Sequence, residues 1–243
     1  MSGHSKWANI KIKKGRSDAQ RGKAFTKLGR EIAIAVKSGG ASPDANSRLR
    51  DVIAKAKAAN MPNDSIVRSI KKAAGEGEGS TYDEISYEGY GPGGVAVIVY
   101  AATDNRNRTA GDVRHFFDKF GGNLGQNGSV SFMFSTKGIL FIEQEDKITE
   151  DDLMMEALEA GAEDIIMEEG YFEITTNPND FSKVRETLEK KGYEFMEAEV
   201  SMIPTVTTKL TDAKQIETMT KLIESLEEMD DVQNVYHNWE QEE

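Results

Sequence analysis

The first third of the chain has its apolar residues at helical spacing. From Ala24 to residue 38 they recur every three or four positions, which predicts a helix that ends at Gly39-Gly40. Two further helices are predicted after Pro43-Asp44 and after Pro62-Asn63. Short turns of Gly, Pro and Asn join the three, as in a small helical bundle. Residues 1–22 precede this pattern as an arm, and residues 75–80 follow it as a Gly/Glu linker.

Beyond the linker the apolar pattern changes to short runs typical of strands. Residues 85–88 and 95–100 are predicted strands around a Gly-rich hairpin turn, and Asp104-Asn105 caps a helix through about Phe120. Alternation at Val130, Phe132 and Phe134 predicts a half-buried strand. Exposed aromatic residues on a strand could stack on bases, but since Val130 shares their side of that strand, both phenylalanines are expected to face the core.

The remaining pattern predicts two α/β sandwiches. Residues 136–203 follow the order β-α-β-β-α-β, which is the ferredoxin-like plan. A strand at 206–210, a helix at 212–226 and a strand at 232–236 are too few elements to fold alone. We therefore expect an α+β protein of three domains. They are the arm and bundle at 1–79, a discontinuous domain of 80–135 plus 204–243, and the inserted ferredoxin-like acidic domain at 136–203.

Charge is divided unevenly along the chain. The net charge is -12, from 30 Lys/Arg and 42 Asp/Glu, yet residues 1–75 carry 17 basic and 5 acidic side chains. The first thirty residues hold nine basic side chains and one acidic one, Asp18. This asymmetry favours a basic part that binds a polyanion, with an acidic body that orients the molecule on it. The alternative is that the basic and acidic parts attract each other.

The sequence does not contain the residue patterns that several classes of functional site require. The chain has no cysteine, and its three histidines have no metal-ligand spacing. The segment 89–94 matches G-x-G-x-x-G, but a strand follows it where a dinucleotide site requires a helix. We expect no catalytic residues, metal or cofactor. No apolar run reaches the length of a membrane span, and the N-terminus has no apolar signal region. We expect a cytoplasmic protein without membrane contact.

Basic side chains at two places are the candidates for nucleic-acid binding. Lys and Arg bind phosphates, and Trp7 either stacks on a base or anchors the arm. Arg106 and Arg108 lie where a strand meets a helix N-terminus, which suits a phosphate unless the segment only caps the helix. A Gly-rich loop at 121–128, with few large side chains to cover its backbone, lies at the other end of that helix. The candidates in the arm and first helix are Lys6, Trp7, Lys11, Lys13, Lys14, Arg16, Arg21, Lys23, Lys27 and Arg30.

Five long segments together resemble the YebC/PmpR family. They are residues 1–32, NSRLRDVIAKAKAANMP, YEGYGPGGVAVIV, TDNRNRT and GGNLGQNGSVSFMF. The resemblance covers essentially the whole chain and implies three domains, with the last segment returning to the middle one. It also implies a nucleic-acid-associated regulator without a catalytic site. Mitochondrial relatives include the translational activator of cytochrome c oxidase subunit I.

The sequence and the resemblance leave two functions open. The first is a non-enzymatic transcriptional regulator that binds promoter DNA. The second is a translation factor that binds rRNA and relieves stalled ribosomes. The chain shows no obvious helix-turn-helix pair and no dimerisation heptads, so direct reading of a duplex has little support. We expect a monomer.

Overall fold

The structure is a computed structural model that describes residues 18–75, 81–145, 148–168 and 170–241. Helices and antiparallel sheets both contribute, so the predicted α+β class is confirmed. Helix α1 begins at Asp18, so residues 18–22 of the predicted arm are helical. The apolar pattern begins later because the buried face of α1 starts only near Phe25 and Leu28. Residues 1–17 and 76–80 lie outside the described residues.

Three helices form the N-terminal bundle: α1 (Asp18–Gly39), α2 (Ser47–Ala58) and α3 (Asn63–Ala73). Their shared core includes Ile32, Leu49 and Ile66, all at most 4% exposed. Asn46 fixes the turn before α2, because its Oδ1 accepts the Leu49 N–H at 3.0 Å. Its Nδ2 donates to the Gly40 carbonyl at 2.8 Å, which ties the end of α1 to the start of α2.

The middle sheet has the order β3-β1-β2-β9, with every pair antiparallel. A Gly-rich turn with positive φ at Gly93 and Gly94 joins β1 to β2, as a hairpin requires. Two helices pack on one face around Val97, Val99 and Phe117. The elements are β1 (Asp83–Tyr90), β2 (Ala96–Thr103), α4 (Arg106–Lys119), β3 (Asn123–Leu124), α7 (Ala213–Glu228) and β9 (Val232–His237).

The second sheet has the order β5-β6-β4-β7, which is the antiparallel ferredoxin-like arrangement. Leu140, Ile142, Phe172 and Ile174 form its core with helices α5 and α6. The elements are β4 (Phe134–Glu143), α5 (Glu150–Ala160), β5 (Asp164–Glu168), β6 (Tyr171–Thr176), α6 (Phe181–Lys190) and β7 (Phe195–Pro204).

The C-terminal tail joins the middle sheet. β9 pairs with β2 in a register that places His237 opposite Val97. The strand predicted at 206–210 is wrong in extent, since only β8 (Thr208–Lys209) forms, paired with β10 (Trp239–Glu240) outside both main sheets. Met219, Leu222 and Leu226 of α7 are fully buried against the middle sheet. The tail therefore contributes core residues to residues 81–135, while the domain boundaries themselves stay a prediction.

The strand predicted at 130–134 is wrong. Residues Ser131–Met133 form a 3-10 turn, and β4 begins only at Phe134. The N–H groups of Val130 and Ser131 donate to the Glu88 carboxylate at 2.9 Å, so they do not enter a strand ladder. Phe134 is buried at 8%, but Phe132 is 72% exposed and does not face the core.

Within the described residues, no helix combines the length and the apolar character that crossing a membrane requires.

We predict that a fragment of residues 136–203 folds alone, because its core around Leu140, Leu153 and Phe172 is self-contained. A fragment of 204–243 should stay unfolded, since α7 buries its apolar face on the middle sheet. Circular dichroism and urea denaturation of both fragments check this. Leu153→Ala in the first fragment is the control and should remove about 2–5 kcal/mol. A cooperative unfolding transition in the 204–243 fragment would contradict the expectation.

Candidate nucleic-acid interface

Asp231, in the turn before β9, joins the first helix to the middle sheet. Its carboxylate accepts hydrogen bonds from Arg30 of α1 and, at 2.8 Å, from Arg108 of α4. Thr109 donates to it at 2.6 Å. The carboxylate is only 9% exposed, so both arginines are held beside a buried negative charge. The structure therefore brings together two predicted site residues that lie far apart in the sequence.

The pKa of Asp231 reflects two opposed effects. Burial raises it, but hydrogen bonds from Thr109, Arg108 and Arg30 outweigh burial and lower the pKa to about 2. The carboxylate is therefore ionised throughout the physiological range. It acts as the permanent counter-charge for the two arginines.

Arg30 is held inside the protein. Its side chain is 14% exposed, and its Nη1 also donates to the Ala102 carbonyl at 2.9 Å. The guanidinium lies 5.1 Å from the centre of the Tyr82 ring, within cation–π range. Most of its donors point into the protein, which leaves little for a phosphate. The structure thus gives Arg30 a role in positioning α1.

The N-terminus of α4 combines capping with exposed basic charge. Asn105 caps the helix, since its Oδ1 accepts the Arg108 N–H at 3.0 Å. Arg108 is 47% exposed and also bonds Asp104 at 2.8 Å, so two carboxylates already neutralise it. Arg106 is exposed at the first position of the helix. Of these two arginines, Arg106 has the more accessible charge beside the helix N-terminus.

The side of α1 nearest this site carries further cations. Lys23 is exposed on this side. Arg21 is also exposed, but it lies nine residues before Arg30 and therefore on the opposite side of the helix. Lys27 donates to the Glu227 carbonyl at 2.7 Å, near the C-terminal end of α7, where a cation is favoured by the helix dipole. Lys27 and Arg30 thus hold α1 against the middle sheet. Lys23 lies one turn before Lys27, so it faces the same side as Arg30.

We define the basic surface as the exposed cations on the two elements that Asp231 joins: Lys23 on α1, and Arg106 and Arg108 at the start of α4. Its remaining predicted members lie outside the described residues, so their positions are not assigned. They are Lys6, Trp7, Lys11, Lys13, Lys14 and Arg16. Arg68, Lys71 and Lys72 are also exposed, on α3.

The Gly-rich loop at 121–128 is bound by an internal carboxylate. Glu88 is 5% exposed, and its carboxylate accepts N–H groups from Gly128, Val130 and Ser131 at 2.8 to 2.9 Å. Burial raises the pKa of Glu88, but these three hydrogen bonds lower it by more than burial raises it. The net shift of the pKa is therefore downward. Those three N–H groups are therefore already paired. Fewer backbone N–H groups around this loop are available to a ligand than its glycine-rich composition indicates.

A cavity of about 460 Å³ lies where the bundle meets both sheets. Its charged residues pair with one another: Lys55 of α2 lies 3.1 Å from Glu31 and 3.4 Å from Glu199 of β7. Burial lowers the pKa of Lys55, but Glu31 and Glu199 outweigh burial and raise it. The lysine thus stays charged and joins the bundle to the second sheet. This is a structural ion-pair network.

The two histidines that the structure describes show no ligand geometry. His115 is exposed on α4, and His237 lies in the middle sheet 6.2 Å from the Trp239 ring. Burial lowers the pKa of His237 to about 4, so it is neutral at pH 7. Across the part of the chain that the structure describes, no group of three acidic or histidine side chains is arranged to hold a metal ion.

Sequence reasoning missed the two residues that organise this site. Asp231 and Glu88 are acids in acid-rich segments, and nothing local distinguishes them from solvated charges. Asp231 acts on Arg108 from 123 residues away. Only contacts between distant segments identify their roles.

The fold and the site define an α+β protein that combines a helical bundle, two antiparallel sheets and a basic surface on one side. Two family models match the chain, the TACO1/YebC N-terminal domain over residues 5–76 and the TACO1/YebC second and third domain over residues 82–239. The chain belongs to the TACO1/YebC family. The resemblance seen in the sequence is thereby confirmed.

The relatives are similar over nearly their full length. A probable transcriptional regulatory protein of Acetivibrio thermocellus is 71% identical over 98% of this chain and 99% of its own. One of the same name from Ruminiclostridium cellulolyticum is 70% identical over 100% and 98%. The crystal structure of a conserved hypothetical protein from Aquifex aeolicus has a TM-score of 0.82. It is 48% identical and matches over 93% of both chains.

We predict that Asp231→Asn lowers the free energy of unfolding at pH 7 by about 1.5–3 kcal/mol, because it weakens charge-assisted hydrogen bonds to two arginines. The folded pKa of about 2 lies below the ordinary 3.8. The wild-type protein should therefore lose this contribution as pH falls from about 4 to 2, and the difference between the two proteins should shrink.

Urea denaturation across this pH range measures both effects. Asp230→Asn is the matched control, since the neighbouring Asp230 is exposed, and it should change little. Equal effects of the two substitutions at pH 7 would contradict the role of Asp231.

Proposed function

We propose that the protein is a regulator that binds nucleic acid through phosphate contacts on its basic surface, without catalysing a reaction. The observation that carries this is the position of Lys23 and Arg106, exposed on two elements that Asp231 holds together. Phosphates are bound by such cations with little regard to sequence. The arm, with Lys6, Lys11, Lys13, Lys14 and Arg16, adds to the same charge at the N-terminal end of α1.

Charge on the rest of the molecule supports a defined orientation. Residues 76–243 carry 13 basic and 37 acidic side chains, so the body is repelled by a polyanion that the basic surface attracts. Exposed acids follow one another at Glu150, Asp151 and Asp152 at the start of α5. We expect the second sheet to point away from the bound nucleic acid.

Promoter DNA is the first target to consider. The relatives from Acetivibrio and Ruminiclostridium are named probable transcriptional regulatory proteins. We propose the same role for this chain, as a cytoplasmic DNA-binding regulator that acts as a monomer. The absence of catalysis and of any cofactor belongs to this proposal.

Ribosomal RNA is the second target, and the nature of the cations favours it. Four of the six basic residues in the arm, residues 1–22, are lysines, which act as point charges. Arg30 and Arg108 of the interface already bond Asp231, and arginine is the side chain best shaped to read base edges. Point charges suit an irregular phosphate surface such as folded rRNA. The corresponding function is a translation factor that relieves stalled ribosomes.

We predict that Lys23→Ala combined with Arg106→Ala weakens nucleic-acid binding and makes its salt dependence shallower. Each phosphate contact on a duplex contributes about 0.9 to the slope of log K against log salt, so the loss should be about 2. Fluorescence anisotropy at several salt concentrations measures the slope. Lys183→Ala with Lys190→Ala, exposed on α6, is the matched control. An unchanged slope in the first variant would place the contacts elsewhere.

The two targets differ in sequence discrimination. We predict that affinity for promoter and scrambled duplexes differs by less than about tenfold at physiological salt, far below a typical specific regulator. We also predict co-sedimentation with ribosomes, lost when Lys11, Lys13, Lys14 and Arg16 are replaced by Ala. Tight, mismatch-sensitive promoter binding without ribosome association would contradict the rRNA target and leave the transcriptional one.

A further inference from the structure

Phe132 is the most exposed large apolar side chain in the part of the chain that the structure describes, at 72%. It stands on the 3-10 turn Ser131–Met133, between the Gly-rich loop and β4. Its side chain belongs to none of the apolar clusters of the two sheets. The basic surface does not account for it either, since that surface recognises charge.

The turn that carries Phe132 is held firmly. The Glu88 carboxylate accepts N–H groups on both sides of Ser129, and the Glu88 carbonyl accepts the Gly125 N–H at 2.8 Å. A Cβ on Gly125 would lie 2.6 Å from the Ser129 hydroxyl, so only glycine allows this close approach. On the other side, the Thr205 N–H donates to the Met133 carbonyl at 2.8 Å. The ring is therefore presented from a rigid base, which reduces the entropy lost when a flat ligand binds it.

Groups that can pair with a base edge precede the ring. Gln126 and Asn127 are exposed, and each amide offers both donors and an acceptor. Gly128, with φ of +90°, and Ser129 complete a polar stretch up to Val130. An aromatic face beside adaptable amides is the combination that recognises unpaired bases in RNA and single-stranded DNA.

We propose that Phe132 stacks on an unpaired base of the bound nucleic acid, with Gln126 and Asn127 beside the base edge. This rests on the proposed function and deepens it, because it names single-stranded or looped nucleic acid as the ligand. A paired base inside a duplex offers no free face to the ring. The phosphates of the same strand would lie on the basic surface.

A protein partner is the competing occupant. The core of a protein interface is a contiguous apolar patch, whereas polar residues 125–129 precede Phe132. Val206, 59% exposed, follows Thr205, whose N–H bonds the Met133 carbonyl, and Tyr90, 38% exposed, donates to the Ser129 carbonyl at 3.2 Å, so both are candidates to extend an apolar patch. A protein surface would use both Phe132 and Val206. A stacked base depends on the aromatic ring alone.

The test measures binding of the full chain to a single-stranded adenine oligonucleotide of about 12 nucleotides and to a matched duplex. A 2-aminopurine in the single strand reports stacking by fluorescence quenching. The variants are Phe132→Ala, Phe132→Leu, Phe132→Tyr and Val206→Ala. Phe132 is exposed, so these substitutions are expected to leave folding intact, and circular dichroism verifies it.

We expect Phe132→Ala and Phe132→Leu to lose about tenfold or more in single-strand affinity and to abolish quenching, since stacking is worth about 1–3 kcal/mol per base. Phe132→Tyr should retain both, and Val206→Ala should change neither. Duplex affinity should stay the same in every variant. Wild-type single-strand affinity and quenching in Phe132→Leu would contradict stacking, because leucine keeps the apolar volume without an aromatic ring.

Three further outcomes separate the explanations. If Phe132→Ala and Val206→Ala both reduce ribosome association while oligonucleotide affinity is unchanged, the surface binds protein and the proposal fails. If the wild-type chain binds neither oligonucleotide nor duplex, the proposed function itself fails. If the wild type and all variants bind nucleic acid equally and with the same salt dependence, the proposed function is supported. The stacking role of Phe132 is then contradicted.

Discussion

The charge of Asp231 holds the first helix to the middle sheet, and the position of the basic surface depends on it. Arg30 reaches this carboxylate from α1 and Arg108 reaches it from α4. Burial would make such a charge costly if it were alone, but two guanidinium groups and Thr109 satisfy it. Arg30 and Arg108 thus fix α1 and α4 relative to each other through Asp231. The exposed cations on these two helices, Lys23 and Arg106, are positioned as a result.

The opposite charges of the two halves meet at particular contacts. Arg50 of the bundle bonds Glu186 of α6 at 2.7 Å, and Lys55 of α2 lies 3.4 Å from Glu199 of β7. Attraction between the basic and acidic parts therefore accounts for these cations, as it does for Arg30 with Asp231. Lys23 and Arg106 stay exposed, and the proposed contact with a polyanion concerns them.

Much of the fold could be predicted because apolar periodicity reports burial directly. Ile32 and Val36 recur at helical spacing and lie in the bundle core, and the β-α-β-β-α-β order gave the second sheet. The pattern failed at Phe132, where five alternating residues could not reveal that Glu88, 42 residues before Val130, binds the backbone. For the same reason the sequence identified cations as candidates but could not tell Arg30, which is enclosed, from Arg106, which is exposed.

We propose that nucleic acid lies along the basic surface and the Gly-rich loop. Crosslinking in cells tests this proposal when it is followed by sequencing of the attached nucleic acid and mass spectrometry of the attached peptides. We predict crosslinks in residues 1–30 and 105–132, to RNA or DNA whose identity decides between the two targets. Crosslinks confined to the acidic residues 136–203, or none above background, would contradict the account.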